Sequence, residues 1–301
     1  MSASSGGSGG LSTLARRADT SSDGEASACL SLLEDILKTR QLSAVFQPIV
    51  AIGEGGILGY EGLIRGPLGG PLHLPADLFR VARANNLAFE VESLCCRVIL
   101  ERYAELSLPG KLFLNVSPMA LELTQFDAGV ILGFLEKRGI AANKIVFELT
   151  EQIHAGRDYA LLRGVIARFR GMGFQIAIDD LGEGYSSLRR WSELLPEYIK
   201  IDMHFVRGVD ASPVKQQFVR SLNDIAHTTG TTIVAEGVET EGELRFLVKA
   251  GIACGQGFYF ACPDANPSST LLAAGDTLLD HASWSLPYGA PTPTAHPGQG
   301  V

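Results

Sequence analysis

Oxygen-bearing side chains recur at the ends of short apolar runs in this sequence. Glu61 lies in one run, Asn115 near the end of the next, and Glu148 in a third, with Glu151 just beyond it. A fourth run leads into Asp179-Asp180, a fifth into Lys200 and Asp202, a sixth into Glu236 and Glu239, and the last holds Gln256. Carboxylates gathered in one place cannot all ionise unaided, because like charges raise one another's pKa values. Cations resolve the conflict, and an all-oxygen donor set suits hard ions such as Mg²⁺ or Mn²⁺. Adjacent Asp179 and Asp180 could serve two ions. Two ions point to phosphoryl hydrolysis, in which they activate water and neutralise the developing charge. Lys200 could orient that water or help deprotonate it. Each residue also has a plainer reading. A single acid at a strand end commonly caps the next helix, Asn115 alone fits a turn, and Lys200 beside Asp202 fits a surface ion pair.

The elements must bring these residues together. Eight candidate strands are Val45–Val50, Ile57–Leu63, Lys111–Val116, Lys144–Leu149, Phe174–Ile178, Tyr198–Ile201, Thr231–Ala235 and Gly255–Phe260. Helical periodicity covers Ala76–Tyr103, Phe126–Arg138, Tyr159–Met172, Pro213–Thr228 and Glu241–Ala250. The Gly-rich link between the first two strands suits a hairpin, so the first strand is expected to run antiparallel. Repeated β-α units with eight strands predict an α/β fold, a (β/α)8 TIM-like barrel, whose strand ends converge on one mouth. A doubly wound open sheet is the alternative, but no Gly-rich dinucleotide fingerprint follows the first strand.

Residues 29–280 are expected to form one domain. Residues 1–28, rich in Ser, Gly and Ala, read as a flexible tail, and residues 281–301, with four prolines, as a disordered one. Composition is ordinary for a globular chain: 46% hydrophobic and 19% charged in 301 residues. A formal net charge of −8 argues against a DNA or RNA polymer as partner. No run is long and apolar enough for a membrane span, and no secretory leader is expected. Five cysteines without paired metal-ligand spacing argue against structural zinc and fit a reducing, cytoplasmic setting.

At these residues the sequence resembles the EAL-domain family of cyclic-di-GMP phosphodiesterases, over about Leu30 to Pro263. Phe46-Gln47-Pro48-Ile49 is similar to the family's opening strand, and Glu61-Gly62-Leu63-Ile64-Arg65 stands where E-A-L-x-R belongs. Asn115-Val116-Ser117, Glu148-Leu149-Thr150-Glu151, Asp179 through Leu188, Lys200-Ile201-Asp202, Glu236-Gly237-Val238-Glu239 and Gln256-Gly257-Phe258 follow in the family's order. The resemblance implies that Glu61, Asn115, Glu148 and Asp179 hold one metal. It implies that Asp179, Asp180 and Glu236 hold the second or its waters, and that Lys200 contacts the nucleophilic water. Glu151 would brace the loop Leu181–Ser187. Gln47, Arg65, Gln256 and Glu239 would form the substrate and water-network set, with Arg65 at a phosphate. The implied reaction opens cyclic-di-GMP to linear pGpG, in a homodimer, with two Mg²⁺ or Mn²⁺ ions. Gly62 in place of the signature Ala, Leu181 in place of Phe, and Glu183 in place of a small residue are departures. None removes a ligand. Rival readings are a cyclic-di-GMP receptor without turnover, a Schiff-base aldolase using Lys200, and a structural partner protein acting through the barrel exterior.

Overall fold

The computed structural model describes residues 11–53, 55–123, 128–149, 159–181 and 187–269. Eight strands close a barrel in sequence order: β1 (Ser43–Ala51), β2 (Ile57–Arg65), β3 (Lys111–Val116), β4 (Ile145–Leu149), β5 (Gln175–Leu181), β6 (Tyr198–Ile201), β7 (Thr232–Ala235) and β8 (Cys254–Gly255). β1 runs antiparallel to β8, in keeping with an antiparallel first strand. The pairs β3/β4, β5/β6, β6/β7 and β7/β8 are parallel. The chain divides into two units. One comprises residues up to 47, 60–176 and 263–267, and the other 48–59 and 177–262.

In the first unit the helices are α1 (Leu11–Thr39), α2 (Pro75–Ala84), α3 (Ala88–Leu106), α4 (Pro118–Glu122), α5 (Ala128–Glu136) and α6 (Tyr159–Gly171). Helical backbone begins at Leu11, inside the stretch expected to be a tail to residue 28. Leu33 and Ile36 of α1 are buried one turn apart, and α1 lies against α2 and α3. The single helix expected over Ala76–Tyr103 is two. Asn86 takes a left-handed φ of 57°, and the Asn85 side chain donates to the Val81 carbonyl at 2.8 Å. Asparagine tolerates that conformation and competes for backbone groups, so the pair ends one helix and starts the next. Leu112, Phe113 and Leu114 of β3 and every residue of β4 are buried, the continuous apolar pattern of strands covered on both faces. Phe147 of β4 meets Phe169 of α6 edge-on at 5.4 Å between ring centroids, and Phe174 completes that cluster.

In the second unit the helices are α7 (Ser187–Leu194), α8 (Met203–Val206), α9 (Pro213–Thr229) and α10 (Glu241–Lys249). Ser212 caps α9 ahead of Pro213, and Gly230 ends it in the left-handed region. The last strand is only Cys254–Gly255, not Gly255–Phe260. Beyond it the chain wraps the backbone of Val238: Val238 N donates to the Gln256 carbonyl, and Tyr259 N donates to the Val238 carbonyl. At Gly257 an added Cβ would lie 2.2 Å from the Val238 oxygen, so only glycine fits this turn.

Candidate active site

Within the first unit, Glu61, Asn115 and Glu148 come from consecutive barrel strands. Glu61 of β2 is buried at 8% exposure and Glu148 of β4 is fully buried. Asn115 and Glu148 sit opposite each other in the β3/β4 register. The Asn115 amide Nδ2 donates to Glu61 Oε1 at 2.9 Å, leaving the amide oxygen as its donor atom for a cation. Gln47 on β1 is buried, and Arg65 ends β2 half-buried, its Nη1 donating to the Ile64 carbonyl at 2.8 Å. Arg65 borders a recess of about 480 Å³ shared with Gln41, Ser43, Val45, Pro67 and His73.

Gly62 stands between Glu61 and Arg65 on β2. A Cβ built there would lie 2.3 Å from Ile99 Cγ2 on α3. The methyl group that the signature alanine carries is replaced from outside the strand by Ile99.

Within the second unit, Asp179, Asp180 and Glu236 each offer a carboxylate oxygen within 4.8 Å of the others. Adjacent residues of a regular strand point to opposite faces. Here the strand is not regular. Ile178 pairs with Ile199 but Leu181 with Ile201, so β5 carries one extra residue across Asp179-Asp180, and Asp180 has φ 52°. This bulge lets both aspartates serve one cluster. Lys200 of β6 is 1% exposed; its Nζ lies 2.7 Å from Glu236 Oε1 and 3.3 Å from Asp179 Oδ1. The buried ammonium thus offsets part of the carboxylate charge. Gln256 is buried, its backbone N donating to the Ala235 carbonyl at 2.8 Å.

Two further acids make local contacts. Asp202 caps α8, accepting from His204 N at 2.7 Å. Glu239, expected in the substrate set, is exposed and ion-paired with Arg207. Glu151, expected to brace the loop after β5, lies outside the described residues, as does Glu183 of that loop.

Two buried acids escaped the sequence reading. Glu243 of α10 accepts from the backbone N of Gly208 at 2.7 Å and of Glu239 and Thr240 at 2.9 Å each. Burial acts to raise its pKa, but its hydrogen bonds with Gly208, Glu239 and Thr240 outweigh that and hold it below the ordinary value. Its signal was legible as a Thr-x-x-Glu capping box over Thr240–Glu243. Glu92 of α3 is the other. Burial pushes its pKa from 4.5 to about 7, although the backbone and side chain of Ser117 both hydrogen-bond to it and lower it. Its signal was a carboxylate at helical spacing with the apolar positions Cys95, Cys96 and Ile99.

The donor chemistry fits hard divalent cations: carboxylates and one amide oxygen, partly buried, with no sulfur or imidazole among them.

The family model of the EAL domain matches residues 31–263. Cyclic di-GMP phosphodiesterase RocR of Pseudomonas aeruginosa is 31% identical over 235 residues, covering 75% of this chain and 58% of that protein. Cyclic di-GMP phosphodiesterase PdeR of Escherichia coli is 32% identical over 237 residues, covering 77% of this chain and 35% of its own length. The chain therefore spans well under two thirds of these curated relatives. Klebsiella pneumoniae BlrP1, solved as a manganese and cyclic-di-GMP complex, superposes with a TM-score of 0.67 at 30% identity, covering 74% of this chain and 56% of that one.

Proposed function

The chain belongs to the EAL domain family, and from that premise we propose that it hydrolyses cyclic-di-GMP to linear pGpG with the help of two divalent cations, Mg²⁺ or Mn²⁺. The observation that carries this reading is the trio Asp179, Asp180 and Glu236, drawn within 4.8 Å by a strand bulge and set against the buried Lys200.

In this reading Glu61, Asn115, Glu148 and Asp179 hold the first cation, and Asp179, Asp180 and Glu236 hold the second or its waters. Bound there, the cations would activate water and neutralise the phosphoryl charge. The protein's own groups do the rest. Lys200 directs a proton of its ammonium group at the attacking water, held in place by Glu236 and Asp179. The Arg65 guanidinium takes a phosphate of the substrate by paired hydrogen bonds, and Gln47 fixes the nucleotide beside it. Gln256 supports the water network. The ion pairs of Lys200 with Glu236 and Asp179 suit a hydrogen-bond donor better than the amine nucleophile that a Schiff-base aldolase needs. Homodimerisation belongs to the same proposal and rests on the family resemblance, and a cytoplasmic setting rests on the cysteine usage.

The test is product chromatography of cyclic-di-GMP incubated with the protein and Mg²⁺ or Mn²⁺, beside an EDTA control and Glu61→Ala. The expected result is pGpG that is lost in both controls. Nucleotide binding without product would assign the chain to receptors that do not turn over.

A further inference from the structure

Glu92 lies 7% exposed on the buried stripe of α3. Both of its carboxylate oxygens are engaged by one residue: Ser117 N donates to Oε1, and Ser117 Oγ donates to Oε2 at 2.8 Å. The same hydroxyl accepts from Ala120 N at 3.1 Å as the cap of α4. Ser117 is thereby held by its backbone and its side chain at once, directly where the chain leaves β3. Two residues upstream, Asn115 reaches Glu61 with its amide and faces Glu148 in register. Burying a carboxylate is costly, and capping of α4 is already provided by the Ser117 hydroxyl. Packing alone would be met by an apolar residue. What Glu92 adds is a fixed exit for β3.

We propose that Glu92 is a positioning residue for the metal site, setting through Ser117 the reach of the Asn115 amide toward Glu61. The inference rests on the metal-dependent reading above. Partners that orient metal ligands typically account for about 10–100-fold in metal affinity.

The experiment measures Mn²⁺ affinity of the full chain from the free-ion electron paramagnetic resonance signal, with thermal melts and cyclic-di-GMP turnover in parallel. Glu92→Gln can still accept from Ser117 N and donate to Ser117 Oγ, so it should bind Mn²⁺ within about twofold of wild type. Glu92→Leu keeps the bulk but offers no acceptor, and should weaken Mn²⁺ by about 10–100-fold while still melting cooperatively. In an Asn115→Ala background the same Glu92→Leu change should have no further effect on affinity. A folded Glu92→Leu protein with wild-type affinity would overturn the inference. So would an equal loss in the Asn115→Ala background, which would mark a general loosening. If Glu92→Leu does not fold, Ser117→Ala takes its place, and a several-fold loss is expected; wild-type affinity there overturns the inference. Wild-type protein that melts cooperatively yet binds no Mn²⁺ would overturn the metal-dependent reading, and the inference with it.

Discussion

Lys200 holds its acidic neighbours in place as well as taking part in the chemistry proposed above. Its ammonium is almost wholly buried between Glu236 and Asp179, and without it their charges would face each other. Lys200→Met should therefore lower turnover by about 10²–10³-fold, the usual worth of a preorganised hydrogen-bond donor. It should also destabilise the metal-free protein by roughly 1–3 kcal/mol, less than for a fully buried pair because the acids keep some exposure. Mn²⁺ then replaces the missing positive charge. The melting temperature should accordingly rise more on Mn²⁺ addition in Lys200→Met than in wild type, which differential scanning fluorimetry reads directly. Glu92 makes a second prediction, on pH. Its folded-state pKa is raised above the ordinary carboxylate value, so folding favours the protonated form. The stability it allows is fully present below about pH 4.5 and is lost as pH rises toward 7. Glu92→Gln, which resembles the protonated side chain, should gain stability relative to wild type at pH 8 compared with pH 5, as urea unfolding at the two pH values would show.

At the scale of elements, the site depends on irregularities that no periodicity reveals. Sequence reading placed the strands that carry Glu61, Asn115, Glu148, Lys200 and Glu236 to within a residue or two, because buried parallel strands are short, apolar and β-branched. It missed the bulge at Asp179-Asp180, since an extra residue changes pairing without changing composition. It fused α2 and α3, since Asn85 and Asn86 interrupt an apolar stripe that resumes in phase. It overextended the last strand, since the turn around Val238 is built from residues that also suit strands. Gly62 shows the same coupling between elements. Gly62→Ala should cost about 1–3 kcal/mol through overpacking against Ile99. Ile99→Leu, which removes the Cγ2 methyl while keeping the volume, should recover most of that loss in a Gly62→Ala background. A double-mutant cycle on unfolding free energies measures the coupling. Glu243 ties the start of α10 to Gly208, and its lowered pKa means the stabilisation is present above the ordinary carboxylate pKa and lost as pH falls through the folded value. Glu243→Ala should cost roughly 1–3 kcal/mol at pH 7, much of it from backbone N–H groups left without partners, and less at pH 3.

For the whole molecule, the eight strands close a barrel, and the acids, the amide and the lysine named above lie on its strands or just beyond their ends. The net charge of −8 would repel a dianionic dinucleotide unless cations stood between them. In the function proposed above, these side chains hold cations which let water cleave a single phosphodiester bond. The measurement that tests it most directly is mass spectrometry of the product formed from cyclic-di-GMP with Mn²⁺ in H₂¹⁸O. The expected product is linear pGpG carrying one ¹⁸O on its terminal phosphate, with none formed in EDTA. Unlabelled pGpG, or intact substrate in the presence of bound metal, would contradict that function.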